Sequence, residues 1–272
     1  LCYLAMSLLL LLTGCSAFDD NVHFNKGNLQ KIKKIAITTY DEKSGVSVSV
    51  GGFNSRMHIP ADGWVYVADT GFAGAVQGYY ERIKGAKLKS VVGEWNFCNQ
   101  LRNEFIEKLK TKQNYFDVVN GDSFVPKMIP EKISIGFTFG GGDPGKIIRE
   151  YDSLVEKVSK EHGIDAIINL YLAFYGLSTG TSDSDEAIPG LMIEAEMILI
   201  PSNERAWRKT EGVFYREPII DGTSTAYKKI TFADYISTQV EKFKSAMDKD
   251  SSLVINKLLF DMGFDGIPQS DE

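Results

Sequence analysis

The sequence predicts a mixed α/β fold of the α+β kind: a mixed sheet with flanking helices and an inserted β-hairpin with a small-residue segment. Three observations predict it. Apolar, β-branched runs at 33–40, 115–119 and 167–177 read as core strands. Between 94 and 112, Phe97, Leu101, Phe105 and Leu109 recur every four residues, the spacing of a buried helical stripe. Strand and helix signals alternate through the first half of the chain, and then give way to an antiparallel pair and a helical C-terminal third.

Taken in order, residues 16–32 are polar and read as a tether. The first core strand is Lys33-Lys34-Ile35-Ala36-Ile37-Thr38-Thr39-Tyr40, followed by a turn at 41–45. Val46, Val48 and Val50 alternate with Ser47 and Ser49, which predicts a half-exposed strand. Residues 64–68 are a suitable hairpin partner for it. The segment 71–78 is rich in glycine and alanine and is expected to pack as a close helix on the body. The helix of 94–112 leads into a short strand at 115–119, and 133–139 reads as another strand.

Asp143-Pro144 looks like an N-cap with proline at the first helical position, starting a helix to about 162. That helix is expected to bury Ile147, Tyr151, Leu154, Val155 and Val158. After the strand at 167–177 comes a polar loop, 178–186, and then two strands, 191–200 and 207–215, around a turn at 201–204. A helix over 232–248 would bury Tyr235, Val240, Phe243 and Met247, and a last one over 252–262 would end at Gly263.

Composition excludes several classes. With 43% hydrophobic and 24% charged residues the chain is globular rather than disordered. A net charge of −6 and a pI near 5.3 leave no cationic surplus for phosphates, so nucleic acid is not an expected partner. His23, His58 and His162 show no ligand spacing, so neither a metal site nor a cofactor is expected. Cys98, at the start of the 94–112 helix, reads as a buried structural thiol.

Residues 4–12 are apolar and uncharged and close on Leu12-Thr13-Gly14-Cys15. This resembles the lipobox of bacterial lipoproteins. The apolar run is shorter than the ~20 residues a membrane-spanning helix needs, and suits a signal-peptide core of about 7–15. The resemblance implies cleavage before Cys15, with Leu12, Thr13 and Gly14 recognised by the peptidase and Cys15 acylated. The sequence opens at Leu1 without Met or a basic n-region, so a start further upstream is expected. In that family Asp after the cysteine retains the protein at the inner membrane; with Ser16 there instead, the resemblance implies the periplasmic face of the outer membrane if the organism has two membranes. The expected organisation is a signal peptide at 1–14, a lipidated tether at 15–32, one domain at 33–264 with an insertion at about 45–93, and a tail at 265–272.

The body carries a second resemblance. Ile35-Ala36-Ile37, Tyr115-Phe116-Asp117-Val118-Val119, Gly163-Ile164-Asp165-Ala166-Ile167 and a late hairpin strand containing Trp207 occur in this order. They resemble the anticodon-binding-like α/β domain of the TolB amino-terminal domain, the curli-secretion lipoprotein and the lipoprotein activators of peptidoglycan synthases. The resemblance covers roughly 33–40 and 94–250. It implies a fold and an envelope setting, and it transfers no catalytic residue.

Three motifs invite chemical readings. Gly140-Gly141-Gly142-Asp143-Pro144-Gly145-Lys146 has the spacing of a phosphate loop, but Ile147 stands where a Mg²⁺-holding hydroxyl belongs. A glycine turn with an N-cap explains it. Gly121-Asp122-Ser123 resembles the opening block of SGNH esterases; no late Asp-x-x-His supplies a base, so a strand end with Asp122 or Ser123 as a cap is expected. Asp183, Asp185 and Glu186 offer oxygens to calcium but lack its ligand spacing, which favours a solvated loop.

The sequence thus points to a lipid-anchored, non-catalytic envelope protein that binds another envelope protein. Phe53, Trp64, Tyr66 and Phe72 are the expected contact residues, in excess of what a small insertion needs for its own packing. An alternative is an oligomeric subunit of a secretion channel, although 46–51 and 65–68 are shorter than the ~9–11 residues of a spanning strand. A hydrolase is the less favoured third reading.

Overall fold

The computed structural model describes residues 32–41, 45–50, 72–125, 144–200, 202, 204–214, 218–220 and 225–264. Its elements are β1 (Lys34–Asp41), β2 (Ser47–Val50), α1 (Phe72–Val92), α2 (Phe97–Lys112), β3 (Asp117–Asn120), α3 (Pro144–His162), β4 (Ala166–Thr179), β5 (Ala187–Leu199), β6 (Glu204–Phe214), β7 (Pro218–Ile220), β8 (Thr225–Tyr227), α4 (Phe232–Ser237) and α5 (Val240–Asp261).

The mixed α/β class holds. Six strands form one sheet in the order β3-β1-β4-β5-β6, with β2 also paired to β4. β3, β1, β2 and β4 run parallel, while β5 and β6 return antiparallel. β7 and β8 make a separate two-stranded ribbon that the sequence reading did not anticipate.

Alternation along β1 assigns the two faces. Ile35 and Ile37 point to a large core with Phe97, Leu101, Phe105 and Leu109 of α2, Leu88 and Val92 of α1, and Phe243, Met247, Val254 and Leu258 of α5. Ala36 points the other way, to a smaller cluster with Ile167 of β4 and Val155 of α3. The sheet therefore has helices on both faces. α2 begins at Phe97 because the Asn96 side chain accepts the Asn99 N–H, so Glu94 stays outside it.

β4 keeps its buried face through an irregularity. Pairing with β5 slips between Leu172 and Phe174, so Tyr175 and Leu177 rejoin the core that Leu170 and Leu172 line. Beyond this point β2 lies parallel to β4, with Ser47 opposite Gly176. Gly176 has φ 152°, and a Cβ there would sit 1.8 Å from the Ser47 carbonyl oxygen, so only glycine fits. The start of β1 is clasped: the backbone N–H groups of Lys33 and Lys34 both donate to the Asp165 carboxylate, at 2.8 and 3.0 Å.

Several expectations need correction. The 46–50 strand is buried on both faces, including Ser49, because α1 covers it and β4 pairs with it. Its proposed partner at 64–68, the strand at 133–139, and the side chains of Ile147 and Tyr151 lie outside the described residues. Leu154 is 51% exposed rather than buried; its neighbours Val155 and Ser159 take the inward positions of α3.

The C-terminal helix breaks at Thr238–Gln239, not near Asp248. The N–H groups of both residues converge on the Asp234 carbonyl, closing α4, which opened on a Thr231–Asp234 capping box. α5 then runs unbroken through Asp250 and Ser251, which fall on its buried stripe. Gly263, with φ 79°, stands just past its end, as expected.

Candidate functional site

Leu12, Thr13, Gly14, Cys15, Phe53, Trp64 and Tyr66 lie outside the described residues, as do the side chain of Phe72 and the glycines of 140–142. The described residues place the other chemically suggestive groups in four polar centres.

The first lies at the C-terminal ends of β1 and β3. Asp122 does not cap the turn after β3. Its carboxylate turns back to β1, accepting the Thr39 N–H and the Thr39 hydroxyl, each at 2.8 Å, and pairs with the buried Arg102 guanidinium from α2. A buried cation requires a counter-charge, and this is the physical reason for the departure. The neighbouring Ser123 is exposed, and the His162 ring stacks on Phe124 with centroids 4.3 Å apart.

The second is the 180–186 loop. Lys84 of α1, only 2% exposed, puts its ammonium 3.1 Å from the Gly180 carbonyl, 2.8 Å from the Ser182 carbonyl and 3.4 Å from Asp183. The Phe232 ring of α4 lies 4.9 Å away on another side. Asp185 instead accepts the Ser182 N–H at 2.7 Å and fixes the turn. The loop is therefore not simply solvated: it holds a cation, supplied by the protein itself. Lys84 sits among apolar positions of a helix, and nothing in its local sequence marks it.

The third joins Cys98 to the sheet. The Tyr175 hydroxyl donates to Asp41 at 2.9 Å and also meets Cys98, and its ring stacks on Phe97 at 5.1 Å. Burial, reinforced by Asp41, pushes the Tyr175 phenol well above its usual range. Cys98 is partly buried against the large core, which is a structural setting.

The fourth is a cross-strand row on the α3 face. The Thr38 hydroxyl donates to Asn169 at 2.6 Å, Asn169 donates to Glu196 at 3.1 Å, and Arg205 closes on Glu196 at 3.1 Å. Beside it Arg208 donates to the buried Glu194 at 2.5 Å, and Tyr40 stacks on Tyr171. Burial raises Glu194 above the usual carboxylate value, with Arg208 pulling the other way. The alternation of Glu194 and Glu196 with Ile193, Ala195 and Met197 was the signal in the sequence that could have found this row.

Among the described residues, no three His, Cys, Asp or Glu gather as a metal site, and no helix is long and apolar enough to cross a membrane.

These features define a mixed α/β domain with its polar groups drawn into structural ties. Neither a family profile nor a curated protein matches the sequence. Among solved structures the chain is similar to the LpoB C-terminal domain from Salmonella enterica, at 14% identity and TM-score 0.24, over 44% of this chain and 72% of that one. It is also similar to the hypothetical protein CT253 from Chlamydia trachomatis, at 8% identity and TM-score 0.34, over 84% and 94%. A third is lipoprotein GNA1162 from Neisseria meningitidis, at 10% identity and TM-score 0.26, over 79% and 94%.

Proposed function

We propose that this chain is a lipid-anchored, non-catalytic protein of the bacterial envelope, acting as an accessory module for another envelope protein. The observation that carries the reading is the short uncharged apolar run closing on Leu12-Thr13-Gly14-Cys15, followed by a polar tether that leads into β1. The polar groups that a catalytic reading would recruit support it. Asp122 is held by Thr39 and Arg102, and the acidic loop is occupied by Lys84. Phe53, Trp64, Tyr66 and Phe72 form the proposed contact surface.

The test is the mass of the mature protein from native membranes, followed by crosslinking in those membranes. A mature chain beginning at an acylated Cys15, crosslinked to a different polypeptide, is the expected result. Deleting residues 53–66 should abolish that crosslink while the body still unfolds cooperatively. A ladder of identical subunits closing at one high mass would overturn the accessory reading in favour of a channel subunit.

A further inference from the structure

α1 has two faces of opposite character. Lys84, Gly85, Leu88 and Val92 are buried toward β2 and the large core, with Glu81 half-buried beside them. Val76, Tyr79, Tyr80 and Ile83, at i, i+3, i+4 and i+7, form one stripe on the outward face, and Val91 continues it. These five are between 36% and 59% exposed, and the Tyr79 and Tyr80 rings meet edge to face at 5.8 Å. A surface helix ordinarily turns its polar side outward. Here the outward side of the first half, 76–83, is apolar and aromatic apart from Arg82, the kind of patch that marks a contact.

The charge of the helix is equally one-sided. It carries Arg82, Lys84, Lys87 and Lys89 against a single acid, Glu81. Glu81 is turned inward, accepting the Val50 N–H at 3.2 Å. Lys84 is consumed by the 180–186 loop, and the exposed Lys87 has Asp183 at 3.3 Å. Arg82 and Lys89 lie to one side of the apolar stripe, with the Lys89 side chain reaching toward Gly45, and Lys87 lies within the stripe between Ile83 and Val91, on a chain whose net charge is −6.

We propose that this face of α1 rests in the headgroup region of an anionic bilayer. Tyrosines favour that boundary, where the ring is apolar and the hydroxyl wet. Basic side chains within and beside the stripe, Lys87 and Arg82, add attraction to anionic lipid that fades with salt. The choice of a membrane over a protein rests on the lipid-anchor reading. The sixteen residues between Cys15 and Ile32 reach at most about 55–60 Å when extended, so a body tethered at Cys15 is always close to the bilayer. Tethering supplies the effective concentration that lets a weak face bind.

The experiment is hydrogen exchange of the full-length chain, purified as a bacterium processes it and mixed with protein-free vesicles. Vesicles of phosphatidylglycerol and phosphatidylethanolamine are expected to slow exchange across α1 by about tenfold relative to phosphatidylcholine vesicles. Raising the salt to about 1 M should remove most of that protection. A Y79S/I83S double variant, changed only at exposed positions, should lose it while keeping its unfolding transition. Equal α1 exchange in the two kinds of vesicle, or unchanged protection in the double variant, overturns the proposal. Protection seen only with native envelope vesicles overturns it in favour of a protein partner. The mass of the mature chain separates the two readings. An unmodified Cys15 removes the anchor and leaves α1 exchange to decide this face, whereas an acylated Cys15 with equal exchange leaves the anchor standing.

Discussion

The ammonium of Lys84 lies 2.8 Å from the carbonyl oxygen of Ser182, so a helix and a β4–β5 loop remote in sequence share one charge. With Gly180, Asp183 and the Phe232 ring, the contact ties α1, the loop and α4 together. Replacing Lys84 by Met should cost about 3 kcal/mol, because it leaves the Gly180 and Ser182 carbonyls without their donor, while Asp183 keeps Lys87. Lys87→Met, at the exposed pair with Asp183, should cost under about 1 kcal/mol. Urea denaturation of both variants compares them directly; equal losses would mean that the buried contact contributes nothing special.

Gly176→Ala should be among the most damaging single-methyl additions in the protein. Its Cβ would meet the Ser47 carbonyl at 1.8 Å, and backbone must move to relieve the clash. A loss of at least about 2–3 kcal/mol is expected, with faster hydrogen exchange at 47–50. Gly78→Ala is the converse case: nothing lies within 4 Å of its Cβ, and the gain should be about 0.5–1 kcal/mol.

Asp122→Asn should destabilise by about 2–4 kcal/mol, since it strands the buried Arg102 guanidinium. Arg102→Met combined with Asp122→Asn should cost less than the two single losses added together. A double-mutant cycle by chemical denaturation measures the difference, and an additive result would show the pair uncoupled.

Asp250 makes stability depend on pH. Its carboxyl is buried on the stripe of α5, and burial raises its pKa to about 7. The folded state therefore keeps a proton that the unfolded chain releases near pH 4. Its contribution is complete below the unfolded value and is lost as pH rises to about 7, a swing of roughly 4 kcal/mol. Asp250→Asn should flatten the profile between pH 4 and 8 and raise the melting temperature at pH 8. A weaker slope of the same sign should remain from Glu194, which burial also raises. Melting scans across that range check both statements, and an unchanged slope in Asp250→Asn would refute the assignment.

What the sequence revealed and what it hid follow from how far each signal reaches along the chain. The four-residue spacing of Phe97, Leu101, Phe105 and Leu109 is local and unambiguous, and α2 lies where it predicts. The hydrophobic run of β4 was equally plain, but the slip between Leu172 and Phe174 depends on what β5 does opposite it. Ser47 and Ser49 looked like solvent positions only because the strand that pairs with them lies over a hundred residues away. Asp250 and Ser251 looked like a helix break because polar residues on a buried stripe mimic one, while the real break at Thr238 follows from a shared acceptor, Asp234. The same reason hid the polar centres. Lys84, Arg102 and Asp122 are ordinary surface types in sequence, and only tertiary contacts draw them inside.

The position of β1 has a mechanical consequence. A pull on the chain ahead of Ile32 enters the body at the start of β1, whose neighbours on both sides, β3 and β4, run parallel to it. A load directed along β1 acts in shear, and both ladders must then yield together rather than unzip one bond at a time. The double donation of Lys33 and Lys34 to Asp165 braces the point where the force arrives. A load along β1 is therefore shared between two ladders from its first residue.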